Sequence, residues 1–287
     1  MAYLRPARLD DALGALVGGG PGGSPWVVVA GATDHYPARV GRTLVEDVLD
    51  VTAIDGLRGI EPVDGGWRIG ALTTWTDIAE AELPPLFDGL RAAALAIGGL
   101  QIQARATVAG NVCNASPAAD GMPNLLALDA VVELDSQRGP RRVPIGEFVI
   151  GNRRTERAVD ELVTGLFVPT PLPDTTVRST FEKLGSRAYL VISIAMVAAV
   201  AEIDADGRIA RARLSVGACS EVAQRLPALE AAIKGFAAAD VAHATPDFVG
   251  PEHLSALAPI DDVRGSGDYR RDAALTLVRR ALEKVLA

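Results

Sequence analysis

The sequence predicts an α+β fold in two successive domains, and three observations carry that expectation. At 287 residues the chain exceeds one typical domain. Pro169-Thr170-Pro171-Leu172-Pro173 interrupts any regular element and marks the clearest boundary. Before it, short apolar strand-like runs alternate with helical patterns. After it, two long strand runs near 190–203 and 208–217 flank an Asp206-Gly207 turn, the mark of an antiparallel pair. The expected division is 1–170, itself two α/β lobes at about 1–57 and 58–170, followed by a smaller α/β domain at 174–287 with an antiparallel sheet.

In the first lobe, Asp10 is expected to cap an amphipathic helix through Leu16, with strands at Trp26–Ala30 and from Val48 to Val51. The run Val27 to Ala30 stops abruptly at Gly31-Ala32-Thr33-Asp34, which predicts a buried strand, a tight turn and a helix starting near Thr33 or Asp34. Gly18 to Gly23 contains G-x-G-x-x-G, but it follows a helix and precedes a strand, the reverse of the dinucleotide fingerprint. It reads as a flexible connector. In the second lobe, Trp67–Leu72 alternates as a strand, Thr74 or Thr76 starts a helix, and Leu86–Ile97 is an Ala-rich helix. A polar loop over 107–120, an apolar segment Pro123–Leu128, and strands at Ala130–Leu134 and Gly165–Val168 complete it. Amphipathic helices are expected near 226–236 and 271–285.

Composition narrows the function. The net charge of −8 disfavours nucleic acid as a partner, because phosphate backbones need a basic surface. The longest apolar run, 190–201, is too short for a membrane span of ~20 residues. Met1 to Pro6 leads into no apolar leader, so a cytoplasmic location is expected. Cys113 and Cys219 are too few for an iron–sulfur cluster and read as free thiols, Cys113 packing as a small hydrophobe. His35, His243 and His253 form no pair at metal-ligand spacing. No metal site and no acid–base pair for substrate chemistry is visible, so an organic cofactor or a partner's metal is expected to supply the chemistry.

Residues 107–120 are the most informative stretch. They contain almost no bulky hydrophobe and no Lys, Arg or Glu, so another backbone or a ligand can approach closely. Thr107, Asn111, Asn114, Ser116 and Asp120 offer hydroxyl, amide and carboxylate groups. Gly31 and Ala32, at a strand-to-helix turn, place amides where a pyrophosphate could sit. Two such loops about 75 residues apart could close on one extended ligand carrying phosphates. The side chain of Asp34 would repel a pyrophosphate, so it is expected to cap the helix instead. Arg105 is the nearest cation in sequence, or a solvated surface charge. Asp120 could equally be the N-cap of the following helix.

Ala30-Gly31-Ala32-Thr33-Asp34, Ile69-Gly70-Ala71-Leu72-Thr73-Thr74, Thr107-Val108-Ala109-Gly110-Asn111 and Asn114-Ala115-Ser116-Pro117-Ala118-Ala119-Asp120 occur in an order that resembles the FAD-binding medium subunit of molybdenum hydroxylases, the xanthine dehydrogenase and carbon monoxide dehydrogenase group. The resemblance spans essentially the whole chain, including Phe181-Glu182-Lys183-Leu184-Gly185. It implies a two-lobed FAD-binding domain of the para-cresol-methylhydroxylase-like type, with FAD extended between the lobes. Ala30, Gly31, Ala32, Thr33, Asp34, Thr107, Gly110 and Asn111 would then surround the pyrophosphate, and Ser116 and Asp120 the ribityl chain. Val163 would pack on the isoalloxazine, and Lys183 would lie near its pyrimidine end, raising the flavin potential. The structural alternatives are a core strand valine and a surface lysine. Tyr189 is a further candidate to stack on the ring. Ala32 and Ala109 stand where the family often has glycine, a departure that matters wherever φ is positive.

The resemblance further implies that no residue of this chain is catalytic toward the organic substrate. A large molybdopterin subunit would act on it, and a small subunit with two [2Fe–2S] clusters would pass electrons to the FAD, in a dimer of heterotrimers. Two rival readings are a stand-alone FAD-dependent oxidase and a flavin-free scaffold subunit.

Overall fold

A computed structural model describes residues 1–287. Its first sheet is small and parallel: Val48–Asp50 lies in the middle, between Tyr3–Leu4 and Val27–Val29. The helix Leu9–Gly18 crosses over between the outer pair, packing Ala12, Leu13 and Leu16 with Leu49, Val51 and Leu162 in one apolar cluster. Arg8, not Asp10, occupies its cap position; Asp10 and Asp11 sit in the first turn, where carboxylates favour the helix dipole. The glycine run is a turn fastened by the buried Asp47, whose Oδ2 accepts from the Gly22 amide at 2.9 Å.

Five antiparallel strands form the second sheet, in the order Ile60–Val63, Gly66–Gly70, Leu162–Pro169, Val131–Asp135, Arg141–Pro144. Thr74 starts the helix Trp75–Glu80 with a full capping box, its hydroxyl accepting from Asp77 and the Asp77 carboxylate accepting from the Thr74 amide. The Ala-rich pattern becomes a short 3-10 turn at Pro85–Phe87 and a helix at Asp88–Ala96.

The last sheet is antiparallel, in the order Thr176–Leu184, Ala195–Ile203, Ile209–Gly217, Gln224–Arg225. Ala195–Ile203 is buried along its whole length, and its alternate residues serve different cores. Met196, Ala198 and Val200 join the large cluster under the second sheet. Ala195, Val197, Ala199, Ala201 and Ile203 pack with the 20-residue helix Gly267–Leu286. A sheet covered on both faces favours apolar residues on both sides of a strand, which explains the hydrophobic run 195–201; the buried Glu202 that follows is paired with Arg211 and Arg213. No helix is long and apolar enough to cross a membrane.

Candidate functional site: a cleft between the lobes

Two expected features of the cleft differ from the structure. No helix starts at Thr33 or Asp34; the strand Val27–Val29 runs into turns and a 3-10 turn at Pro37–Arg39. Pro37 lacks the amide that a continuing helix would donate. Asp34 therefore caps nothing, and its carboxylate accepts from Arg153 at 2.6 Å. Residues 107–120 are likewise not one loop. Thr107 caps a helix Val108–Asn114 by accepting from the Gly110 amide at 3.0 Å, and Ala115 ends it in a left-handed conformation. Small residues hid that helix because they give little apolar periodicity.

The two segments meet through backbone. A Cβ on Gly31 would lie 1.9 Å from the Arg105 carbonyl oxygen, so only glycine allows this approach. Ala32 has φ 54°, whereas Ala109 is helical and buried and carries no positive φ. Trp75 and Val108 tie the second segment down: the Trp75 amide donates to Ala106 O, and the Val108 amide to Thr73 O.

Between them lies a cleft of about 690 Å³, within the range of cofactor sites. Ala30, Gly31, Ala32, Thr33, Asp34, Thr107, Gly110, Asn111 and Val163 all line it. Trp26, Trp75, Ile97, Ile102 and Cys113 supply apolar wall. Burial pushes the Cys113 thiol up to about 11, so the thiol stays protonated. The cations at the cleft are Arg39, Arg153 and Arg157, none of which the motifs singled out. Arg105 is exposed and lines a separate hollow, beside Arg5 and Arg58. Neither Arg153 nor Arg157 has a local sequence signal; a charged two-residue strand such as Arg154–Thr155 resembles any surface turn.

Ser116, Asp120 and Lys183 do not line this cleft. Ser116 Oγ accepts from the Ala118 amide at 3.3 Å. Asp120 makes no cap hydrogen bond to the helix Gly121–Ala127. Its two oxygens accept instead from Lys183 Nζ at 2.7 Å and Ser193 Oγ at 2.5 Å. Burial raises the Asp120 carboxyl above the usual range, against the pull of Lys183. Tyr189 is 79% exposed.

The cleft also collects unsatisfied chemistry. Of five buried side-chain polar atoms without a hydrogen-bond partner, three belong to residues of its wall: His35 Nε2, Trp75 Nε1 and Asn111 Oδ1. Burial, with Arg39 nearby, lowers the pKa of His35. Buried polar groups are ordinarily paired, so this concentration marks a surface shaped for a polar ligand. Apolar walls, mixed side-chain donors and acceptors and three guanidinium groups together suit an extended dinucleotide better than a compact anion.

Two lobes closing on such a cleft, followed by an antiparallel sheet backed by a long helix, define a class of flavoprotein subunit. Residues 1–171 match the family model described as the FAD binding domain in molybdopterin dehydrogenase, and residues 179–285 match that of the CO dehydrogenase flavoprotein C-terminal domain. The chain belongs to this family of FAD-binding medium subunits, and is an oxidoreductase subunit. It is 30% identical over 295 residues to the xanthine dehydrogenase FAD-binding subunit of Escherichia coli O157:H7, covering 100% of this chain and 96% of that one. The carbon monoxide dehydrogenase medium chain of Afipia carboxidovorans is 30% identical over 300 residues, covering 99% and 96%. Among solved structures, carbon monoxide dehydrogenase from Hydrogenophaga pseudoflava superposes with a TM-score of 0.84 at 26% identity, over 99% of this chain and 96% of that one.

Proposed function

We propose that this chain is the FAD-carrying electron-transfer subunit of a molybdopterin-dependent dehydrogenase or hydroxylase. In this reading 1–170 is the FAD-binding domain and 174–287 the C-terminal domain. The observation that carries it is the cleft itself, where the resemblance-bearing segments and three orphaned polar atoms converge. Ala30 to Asp34 with Thr107, Gly110 and Asn111 would hold the pyrophosphate, largely through amides and neutral side chains. Beyond the cleft, where the flavin would reach toward the C-terminal domain, Asp120 would accept from the ribityl hydroxyls, with Ser116 nearby. Val163 would pack on the isoalloxazine, and Lys183 would lie at its pyrimidine end. Binding is noncovalent, since the half-buried Cys113, its thiol pushed up to about 11, stays protonated and is a poor nucleophile. When bound, FAD supplies the redox centre through which electrons from a partner's clusters leave for an external acceptor.

The partners in this reading are a small subunit with two [2Fe–2S] clusters and a large molybdopterin subunit, assembled as a dimer of heterotrimers. A cytoplasmic location accords with two free cysteines, Cys113 and Cys219, which a reducing compartment preserves. Anaerobic addition of organic substrate to the co-expressed complex tests the assignment. Flavin bleaching in the complex and none in the isolated chain is the expected result. Bleaching in the isolated chain would favour a stand-alone oxidase instead.

A further inference from the structure

Asp34 is the one carboxylate lining the cleft, and it sits within the segment proposed to face a pyrophosphate. A negative charge there opposes binding of a dianion. The structure shows how the charge is met. Arg153 stands at the tip of the hairpin formed by Val149–Gly151 and Arg154–Thr155, with φ 58°. Its amide donates to Ala115 O at 2.9 Å, fixing the tip against the end of the helix Val108–Asn114. From there its guanidinium donates to Asp34 Oδ2 at 2.6 Å, to Asp34 Oδ1 at 3.4 Å and to Asn114 Oδ1 at 2.5 Å.

The other two cations at the cleft are committed elsewhere. Arg39 donates to Glu46 at 2.7 Å and to His35 O. Arg157 donates to the carbonyls of Ala158 and Glu161. Arg39 adds a weaker charge attraction, but of the three only Arg153 hydrogen-bonds Asp34, across 119 residues of sequence, with both side chains about half exposed at the cleft mouth.

We infer that Arg153 is a positioning residue for the cofactor, cancelling the charge of Asp34 so that a dinucleotide pyrophosphate can settle beside it. The inference rests on the FAD reading of the cleft. The test titrates the full-length chain, freed of flavin, with FAD, comparing wild type with Arg153→Gln, Arg153→Lys, Asp34→Asn and the Arg153→Gln/Asp34→Asn double variant. Arg153→Gln is expected to weaken FAD binding about tenfold at low salt, with the loss shrinking as salt rises. Arg153→Lys, which keeps the charge, and the double variant, which removes the carboxylate, are expected to stay within about threefold of wild type. Unchanged affinity in Arg153→Gln would overturn the inference. So would a double variant as weak as Arg153→Gln, because Arg153 would then act through direct contact or by tethering the hairpin. Where the glutamine variant folds poorly, Asp34→Asn decides: affinity at or above wild type is expected, and a tenfold loss would overturn the inference. Wild type that binds no FAD would instead refute the underlying reading.

Discussion

Lys183 donates to Asp120 at 2.7 Å across 63 residues of sequence, joining the edge strand of the last sheet to the start of the helix Gly121–Ala127. Ser193 donates to the other carboxylate oxygen, and Lys183 also donates to Ala96 O at 3.2 Å. Both ionic side chains are nearly buried, at 12% and 8% exposure. Removing one partner strands the other charge. Asp120→Ala is therefore expected to cost about 3–5 kcal/mol of folding stability, while replacing both residues by apolar ones of similar size costs much less. Asp120→Asn, which keeps an acceptor for Ser193, should fall between. Chemical denaturation of the three variants beside wild type checks the order.

The two alanines that replace family glycines should respond in opposite directions. Ala32 sits at φ 54°, where a Cβ costs roughly 1–2 kcal/mol, partly offset by the greater unfolded-state freedom of glycine, about 0.4–1 kcal/mol. Ala32→Gly is expected to be neutral to stabilising. Ala109 lies inside the helix Val108–Asn114, so Ala109→Gly should destabilise by about 1 kcal/mol. Thermal melts of the pair test the assignment of strain.

Acid should weaken the attachment of the long C-terminal helix. The Arg264 amide, and then the guanidinium groups of Arg270 and Arg264, hold the Asp262 carboxyl down to about 2. Arg270 in turn donates to Ile194 O and Ala218 O. A carboxylate with a depressed folded pKa stabilises above its unfolded value, near 3.9, and that contribution is lost as pH falls through the folded value. Stability should therefore drop between about pH 4 and pH 2, and Asp262→Asn should flatten that part of the profile.

Trp75, a fully buried residue of the cleft wall, carries an indole N–H with no protein acceptor. In Trp75→Phe the flavin-free chain loses no hydrogen bond. Its FAD affinity should still fall by about 0.5–1.5 kcal/mol, roughly two- to tenfold, if the indole donates to the cofactor. Equal affinity in the two proteins, measured by fluorescence titration, would remove Trp75 from the site.

What the sequence made legible follows from the range of each interaction. Thr74 and Asp77 form a cap within three residues, so the helix start could be read directly. The turn near Asp206-Gly207 and its flanking strands were equally local, with Gly207 at φ 74°. Gly31 was visible as part of a tight turn after a strand, although not that the Arg105 backbone packs against it. The helix Val108–Asn114 gives a weak local signal, because its buried stripe is only Val108, Ala109 and Val112 among Gly and Asn. The pairings Asp34–Arg153 and Asp120–Lys183 depend on the fold bringing distant segments together, and no local pattern encodes them.

The central claim is that one FAD spans the cleft, with its pyrophosphate between the 30–34 and 107–111 segments. Titrating the flavin-free, full-length chain with FAD, FMN and riboflavin tests this most directly. One equivalent of FAD should bind, released intact by heat, and FMN should bind far more weakly because it lacks the adenosine half and the bridging phosphate. FMN binding as tightly as FAD, or no saturable flavin binding at all, would contradict the account.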